Sequence, residues 1–248
     1  MLCRISYEEF EDAYSSEVKK EGLKLVNIRG TGGSGKSTII NNLLKYDSDA
    51  FEVFAKIEGM DRNVTICTVF PNFRILALGH YHTNCGGCDT FSKLSGVCSE
   101  DNENNDYDKL SDYYLELLKM LDKFNFNILM EGLMVSGIYG SYADIFRKFR
   151  DYSGREVIIY SLLPPLSVCL ERQKMRRGGV EVNPFHTVRK YRSVIKNTAR
   201  FAKDFTSIAV DTSKGDIDYN FEDFFKRVKI ELPENYKDKF LSNFNEDW

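Results

Sequence analysis

The residue types best suited to chemistry form a glycine-rich segment near the start of the chain. This segment fits the pattern G-x-x-x-x-G-K-[ST] at every fixed position. Its residues are Gly30, Thr31, Gly32, Gly33, Ser34, Gly35, Lys36 and Ser37, and Thr38 follows directly. Glycines let such a loop wrap an anion with its backbone N–H groups, while the lysine reaches the β- and γ-phosphates. We therefore predict that residues 30–38 bind a nucleoside triphosphate, with Lys36 catalytic and the Ser37 hydroxyl as a ligand of Mg²⁺.

An acidic residue, Glu131, ends the short apolar segment NILM at residues 127–130. Proteins with such a phosphate loop place an aspartate or glutamate at the end of a neighbouring strand, where it holds the magnesium shell or orients a nucleophile. We predict that Glu131 holds Mg²⁺ through water and is a candidate catalytic base. The alternative is a carboxylate that only ends a strand in water.

A basic segment, LERQKMRRGG at residues 170–179, follows the predicted strand VIIYSL. Arg172 and Arg176 lie four residues apart on one helix face, and Arg177 follows at the helix end. Small-molecule kinases carry such arginines on a mobile lid, where they neutralise charge on the transferring group. We predict a lid at about 172–186, with Arg172 and Arg176 catalytic and Arg177 bound to the nucleotide. The alternative is a solvated helix end that complements the helix dipole.

A long helix predicted at residues 187–205 carries a row of basic side chains. The row consists of Arg189, Arg192, Lys196, Arg200 and Lys203. The predicted apolar face consists of Val188, Tyr191, Ile195, Thr198, Ala202 and Phe205. From residue 172 to residue 203, ten basic side chains stand against Glu181 alone, in a chain whose net charge is −3. Such a row indicates a polyanion, so we predict that Arg189, Arg192 and Lys196 contact substrate phosphates. A solvated face is the alternative.

The segment LGHYHTNCGGCDT at residues 78–90 has two interpretations that involve chemistry. In the first it is a substrate loop, in which glycines admit the substrate closely and Asp89 or Tyr81 acts on it. In the second it is a zinc site, although the spacing is tight for one tetrahedral ion. The candidate zinc ligands are His80, His82, Cys85 and Cys88, with Cys98 nearby. An inert loop is a third alternative, and we favour the substrate loop.

The elements predicted around these segments are those of an α/β protein. Apolar and β-rich runs predict strands at 23–28, 51–57, 64–70, 73–78, 126–130, 156–162 and 207–210. Helical periodicity predicts helices at 7–21, 37–44, 109–124, 139–152, 165–175, 187–205 and 221–230. Alternating strands and helices predict a parallel sheet of about five strands with helices on both faces, like nucleoside-monophosphate kinases, with an inserted hairpin-loop region.

The whole chain has the composition of a soluble domain, with 42% hydrophobic and 29% charged residues among 248. We predict one domain at 1–232, with the hairpin and substrate loop inserted at about 61–108, and an acidic tail at 233–248. There is no apolar run of membrane-spanning length and no signal-like apolar stretch at the start. Six cysteines with a single CxxC indicate a reducing compartment, so we expect a cytoplasmic protein without a membrane partner. The oligomeric state does not follow from the sequence.

Taken together, these segments resemble a known family. The matching stretches are GTGGSGKST, ALGHYHTNCGGCDTF, ILMEGLMVS, CLERQKMRRGG, VRKYRSVIKNTARF and AVDTS, which lie within residues 23–212. They resemble the bacteriophage P-loop kinases that phosphorylate 5-hydroxymethyluracil within DNA, an early step in thymine hypermodification. The resemblance implies ATP and Mg²⁺ as cofactors, and a hydroxymethyl group on a DNA base as acceptor. It further implies that Tyr81, Gly86, Gly87 and Asp89 face the acceptor.

The reaction expected from this resemblance is direct in-line transfer of the γ-phosphoryl group. Asp89 is the preferred base for the acceptor hydroxyl, and Glu131 is the second choice. One alternative is a kinase of a free nucleoside, nucleotide or other metabolite, against which the basic row weighs. Another is an ATPase or nucleotide switch whose only acceptor is water, against which the lid arginines and the 78–90 segment weigh.

Overall fold

The computed structural model describes residues 2–16, 21–56, 63–81, 87–89, 91, 107–234 and 236–239. Of the predicted site residues, Gly86 lies outside these ranges. The candidate zinc ligands His82, Cys85 and Cys98 and most of the acidic tail also lie outside them.

Strands and helices alternate along most of the described chain. The strands are β1 (Cys3–Ser6), β2 (Lys24–Arg29), β3 (Phe51–Lys56), β4 (Asn63–Phe70), β5 (Ile75–Leu78), β6 (Asn127–Glu131), β7 (Glu156–Leu162) and β8 (Thr206–Val210). The α-helices are α1 (Tyr7–Tyr14), α2 (Lys36–Tyr46), α3 (Tyr107–Leu121), α4 (Leu133–Gly137), α5 (Gly140–Ser153), α6 (Leu166–Arg176), α7 (Pro184–Phe201) and α8 (Ile217–Val228). A 3-10 helix spans Tyr236–Lys239.

All eight of these strands form one sheet in the order β1-β3-β4-β5-β6-β2-β7-β8. The central strand β2 pairs in parallel with β6 on one side and with β7 on the other. Within the described sheet, only β4 runs antiparallel to its neighbours, β3 and β5. The predicted α/β class is therefore confirmed, and the carboxyl ends of β2, β6 and β7 meet at one edge. Loops that follow parallel strands at such an edge build binding sites.

The sheet differs from the predicted one in its width. The sequence predicts about five strands in the parallel sheet, whereas the described sheet has eight. The hairpin of β4 and β5 accounts for part of the difference, because it lies inside the sheet between β3 and β6. Strand β1, CRIS, is too short and too polar to be recognised from periodicity, and its pairing with β3 defines it.

Each face of the sheet carries its own apolar core. Leu25 belongs to the core that holds aromatic residues of α1, α5 and α7, whereas Val26 and Ile28 belong to the core under α2 and α8. This alternation along β2 follows from the twofold side-chain period of a strand. Helices therefore cover both faces, as predicted, and the site at the sheet edge rests on a packed base. None of the described helices has the length and apolar character that crossing a membrane requires.

Helix α7 begins and ends earlier than the predicted helix at 187–205. Asn183 caps it, because its Oδ1 accepts a hydrogen bond from the backbone N–H of Phe185 at 3.0 Å. Pro184 occupies the first helical turn, where a missing N–H costs nothing. The helix ends at Phe201, so Lys203 lies beyond it. The asparagine-proline pair was the signal that the periodicity analysis overlooked.

Candidate functional site

The glycine-rich loop lies between the end of β2 and the start of α2, as the sequence predicts. Gly33 has a φ of +76°, and a Cβ atom at this position would lie 2.3 Å from the backbone oxygen of Cys169 on α6. Only glycine fits this approach without a shift of the backbone. The loop is therefore held between the sheet edge and α6, with α2 behind it.

Lys36 lies inside the loop and is only 6% exposed. Its Nζ donates hydrogen bonds to the backbone oxygens of Gly30 at 3.1 Å and Thr31 at 3.2 Å. Burial lowers the pKa of Lys36, while the nearby carboxylates Glu131 and Asp89 act in the opposite direction. The side chain is thus a buried cation next to two acids, in the position that a phosphate-binding lysine requires.

Glu131 ends β6 directly beside β2, where it pairs in register with Ile28. The Ser37 hydroxyl donates a hydrogen bond to Glu131 Oε1 at 3.2 Å. The second oxygen, Oε2, is buried and has no hydrogen-bond partner among the described residues. Burial raises the pKa of Glu131, and Lys36 opposes this shift. A hydroxyl and a carboxylate with an unused buried oxygen form a donor set that suits Mg²⁺.

The segment around Gly87 packs on the end of β6. Gly87 has a φ of +67°, and a Cβ atom there would lie 2.6 Å from the backbone oxygen of Glu131. The Cys88 N–H donates to the same oxygen at 2.8 Å. The next residue, Asp89, lies over Gly132, because a Cβ atom on that glycine would be 2.9 Å from Asp89 Oδ1. The structure therefore brings Asp89, Glu131 and Lys36 to one place.

Tyr81 and Cys88 have structural contacts of their own. The Tyr81 hydroxyl donates to the backbone oxygen of Leu78 at 3.2 Å, and burial raises the pKa of this phenol well above its ordinary value. Burial likewise raises the pKa of the Cys88 thiol, which disfavours the thiolate that a metal binds. In the described ranges, no group of three or more His, Cys, Asp or Glu is arranged to hold a metal ion. Because His82 and Cys85 fall outside those ranges, the zinc alternative is not tested.

A cavity of about 600 Å³ opens over the phosphate loop. Residues 31–38, Asp89 and Glu131 contribute to its lining. The loop after β8 and the start of α8 also line it, with Thr212, Gly215, Asp216, Ile217, Asn220 and Phe221. The Asn220 amide fixes this loop, because it donates to the backbone oxygens of Thr212, Gly215 and Asp216. The cavity thus has room for a nucleotide whose phosphates lie in the loop.

Two of the three predicted lid arginines line this cavity, Arg172 and Arg176. The Arg172 guanidinium donates to the backbone oxygen of Thr212 at 3.0 Å and to its hydroxyl at 3.2 Å, with a longer bond of 3.4 Å to the backbone oxygen of Gly33. Arg172 therefore links α6 to the phosphate loop and to the loop after β8. Arg176 is exposed, and its charge helps to lower the pKa of Lys36. Arg177 is exposed and is not part of the described lining.

The buried face of α7 differs from the predicted one. The buried residues are Thr187, Val194, Asn197 and Phe201, whereas Ile195 is 45% exposed and Ala202 lies beyond the helix in an exposed position. The prediction was wrong for Ile195 and Ala202, whereas Val188, Tyr191 and Thr198 are half-buried and Phe205 is buried. The buried row lies one residue earlier along the helix than the predicted positions 188, 195, 198 and 202. Asn197 is buried with a partner, since its amide donates to the backbone oxygen of Gly137 at 3.0 Å. Arg189, Arg192, Lys196 and Arg200 remain exposed, as predicted.

Several residues of the site were not found from the sequence. Gln173 donates to the backbone oxygen of Gly32 at 3.0 Å and so supports the loop from α6. Arg29, at the end of β2, donates to the backbone oxygens of Ser136 at 2.9 Å and Ile138 at 2.8 Å, and burial lowers its pKa to about 9. Arg29 thereby fixes the segment after α4 against β2. No local pattern marks these contacts, because each joins segments far apart in the chain.

Comparison with known proteins identifies similar sequences. A family model described as 5-hmdU DNA kinase matches residues 13–218. A 5-hmdU DNA kinase of Bacillus phage SP10 is 32% identical over 235 residues, which cover 91% of this chain and 33% of that protein. A 5-hmdU DNA kinase of Pseudomonas phage PaMx11 is 28% identical over 181 residues, covering 69% of this chain and 82% of that protein. The chain thus spans about a third of the length of the Bacillus phage relative.

Solved structures give more distant matches. A sugar kinase from Janibacter sp. HTCC2649 aligns with 84% of this chain and 95% of its own length, at 15% identity and a TM-score of 0.45. Deoxyadenosine kinase from M. mycoides with bound dATP aligns with 83% of this chain and 99% of its own length, at 16% identity and a TM-score of 0.39. Scores this low carry no conclusion about the site.

Proposed function

The chain belongs to the 5-hmdU DNA kinase family, and on this premise we propose that it transfers the γ-phosphoryl group of ATP to 5-hydroxymethyluracil in DNA. The acceptor atom is the hydroxymethyl oxygen. The observation that carries the proposal is that Lys36, Glu131 and Asp89 line the same nucleotide-sized cavity. A cation for phosphates, a carboxylate for magnesium and a second carboxylate for a proton are the groups that phosphoryl transfer to an alcohol needs.

The residues that would bind the nucleotide have different roles. Backbone N–H groups of the phosphate loop and the Lys36 ammonium hold the β- and γ-phosphates. Ser37 and Glu131 would hold Mg²⁺, which supplies neutralisation of the phosphate charge when it is bound. Arg172 fixes the wall of the cavity, and Arg176 adds positive charge near Lys36. We keep residues 172–186 as the lid, since both arginines belong to it and Gly178 and Gly179 have positive φ angles.

Asp89 is our choice for the general base. In the reaction, the acceptor oxygen forms a bond to the γ-phosphorus, the bond from that phosphorus to the leaving ADP oxygen breaks, and the hydroxyl proton passes to the Asp89 carboxylate. Glu131 is less suited to this role, because Ser37 and the proposed magnesium site already engage it. Tyr81, Gly86 and Gly87 would then shape the acceptor side, with Gly87 placing Asp89 through its close approach to β6.

An acceptor panel tests this function. Purified protein is incubated with labelled ATP and Mg²⁺, together with a 5-hydroxymethyluracil oligonucleotide, the same oligonucleotide with thymine, free 5-hydroxymethyldeoxyuridine, or no acceptor. We expect label in the modified oligonucleotide alone or at a much higher kcat/KM than in the nucleoside. Preferred transfer to the nucleoside would instead indicate a metabolite kinase, and release of phosphate without any acceptor would indicate an ATPase.

A further inference from the structure

A second cavity, of about 590 Å³, lies beside the phosphate loop. Thr31 and Gly32 line both cavities, so the second one opens beside the place where phosphoryl transfer is proposed. Its other walls come from the end of α4, from α6 and from the first three turns of α7. The remaining lining residues are Gly137, Ile138, Gln173, His186, Thr187, Arg189, Lys190 and Ser193.

The described charged residues that line this cavity are all basic. Its described lining contains Arg189, Lys190 and His186 and no aspartate or glutamate. Two hydroxyls of the lining are already engaged. Ser193 donates to the backbone oxygen of Gly137, and Thr187 donates to the side-chain oxygen of Gln173. Arg189 and Lys190 make the lining positive, so it attracts an anion. A neutral nucleoside has no group that would need it.

Lys190 is the residue of this lining that points most directly to a bound anion. It forms no hydrogen bond or ion pair with any described residue, although most of its side chain is covered. Gly137 leaves the room for it, because a Cβ atom on that glycine would lie 2.3 Å from the Lys190 Nζ. Burial lowers the pKa of Lys190 to about 8, with Asp89 acting against the shift and Lys36 and Arg29 acting with it. A half-buried cation without a partner indicates a site whose counter-charge arrives with a ligand.

We propose that this second cavity binds a phosphodiester group of the acceptor DNA strand, and that Lys190 is its anchoring residue. The inference rests on the proposed function, because it makes the cavity the acceptor-strand half of the same site. An exposed ring adjoins this lining, since Phe185 is 63% exposed and its ring centroid lies 5.4 Å from that of the lining residue His186. Exposed rings beside cations are the elements with which proteins stack bases and hold a backbone.

Two variants test the anchor, and a third serves as control. Lys190→Gln removes the charge, and Gly137→Ala keeps it but places a methyl group where Nζ lies. Lys226→Gln, an exposed position on α8 outside both cavities, removes the same charge elsewhere. We expect Lys190→Gln to raise KM for a 5-hydroxymethyluracil oligonucleotide roughly 10- to 100-fold, because a charge-assisted contact is lost. Gly137→Ala should act in the same direction, and Lys226→Gln should change KM less than about twofold.

Further acceptors identify the group that is bound. KM for free 5-hydroxymethyldeoxyuridine and KM for ATP should stay unchanged in Lys190→Gln. The 5′-monophosphate of this nucleoside distinguishes a strand phosphodiester from a free phosphate. If Lys190→Gln raises KM for the monophosphate and not KM for the oligonucleotide, the cavity does not bind a strand. Equal oligonucleotide KM values for Lys190→Gln and Lys226→Gln, or equal losses with the oligonucleotide and the nucleoside, would also overturn the inference.

A binding measurement separates this inference from the proposed function. Fluorescence anisotropy with a labelled, unmodified oligonucleotide does not depend on catalysis. We expect weaker binding to Lys190→Gln than to Lys226→Gln at the same salt concentration. If the wild-type protein phosphorylated none of the acceptors, the proposed function would be wrong. The binding comparison would still show whether Lys190 contacts DNA. Equal binding by the two variants would refute the anchor.

Discussion

At the scale of single residues, Lys36 connects the sequence pattern to the expected chemistry. Its ammonium is buried and donates to backbone oxygens of its own loop. Glu131 and Asp89 lie close enough to favour its charged form against the effect of burial. The same three side chains would meet the phosphate, the magnesium ion and the acceptor proton. Each of them therefore has a distinct consequence when it is removed.

Replacing Lys36 with alanine should abolish most of the transfer and leave the fold intact. Removal of one positioned charge at a developing anion costs roughly 100- to 1000-fold in kcat. The melting temperature should change little, because a buried cation that burial disfavours is lost together with its two hydrogen bonds. Steady-state kinetics and thermal unfolding measure the two effects, with Lys226→Ala as the control. A folded Lys36→Ala protein with near-normal kcat would contradict the assignment of the loop.

The pKa of Lys190 predicts a pH dependence for the use of DNA. This pKa is lowered to about 8, so the side chain is a cation below that pH and becomes neutral as the pH rises through it. If a phosphodiester needs the cation, KM for the oligonucleotide should rise by up to about tenfold per pH unit above 8. The charges that act on Lys190 are those of Asp89, Lys36 and Arg29, and His186 and Arg189 line the same cavity.

The variant Lys190→Arg tests this pH dependence. A guanidinium keeps its charge at every pH used, so Lys190→Arg should flatten the rise of KM above pH 8. The KM for the free nucleoside, measured over the same range, shows changes that come from elsewhere in the site. A profile that is the same for lysine and arginine would mean that Lys190 does not titrate in contact with the DNA.

At the scale of elements, the phosphate loop depends on how closely α6 approaches it. Gly33 and Gly154 both have positive φ angles, +76° and +71°, but only Gly33 has a neighbouring backbone oxygen in the way of a side chain. Gly154→Ala should therefore cost about 1 kcal/mol of unfolding free energy, from backbone strain alone. Gly33→Ala should cost more and should also weaken ATP binding. Denaturant unfolding and nucleotide titration measure both, and equal effects of the two variants would contradict the close approach.

Helix α6 contributes two arginines whose effects should differ. Arg172 is bonded to Thr212 and to Gly33, so Arg172→Ala should loosen the cavity wall and raise KM for ATP about tenfold. Arg176 is exposed and forms none of the described hydrogen bonds, which leaves its guanidinium able to turn to the transferring group. Arg176→Ala should lower kcat and leave KM for ATP nearly unchanged. Glu171→Ala, on the same helix but before the lid and outside the cavity lining, is the control. The reverse pattern of effects would exchange the two roles.

At the scale of the whole molecule, the parallel order β6-β2-β7 gathers the site at one edge of the sheet. The phosphate loop follows β2, Glu131 ends β6, and α6 follows β7. Residues that are separated by more than a hundred positions thereby share one cavity. The two cavities share Thr31 and Gly32, so the nucleotide and the proposed acceptor strand would meet at the phosphate loop.

The sequence predicted those parts of the site that depend on local patterns. The phosphate loop and the strand that ends at Glu131 each have a short signature, and both elements lie where they were expected. Thr212, Asn220 and Gln173 have no such signature, because their contacts are made across the fold. The buried row of α7 lies one residue earlier than predicted, and it includes Asn197. The amide of Asn197 finds its partner, the backbone oxygen of Gly137, only when the two helices pack.

The most direct test of the proposed function is the position of the transferred phosphoryl group. DNA containing 5-hydroxymethyluracil is treated with the protein, labelled ATP and Mg²⁺, and then digested by nucleases without phosphatase to mononucleotides, which are separated by chromatography coupled to mass spectrometry. Wild-type protein should yield a mononucleotide with a second phosphate, as an ester, on its 5-hydroxymethyl oxygen. Lys36→Ala and Asp89→Asn should yield little or none, while Lys226→Ala yields the wild-type amount. Label at a strand end, label on unmodified DNA, or full product formation by Asp89→Asn would contradict this account of the site.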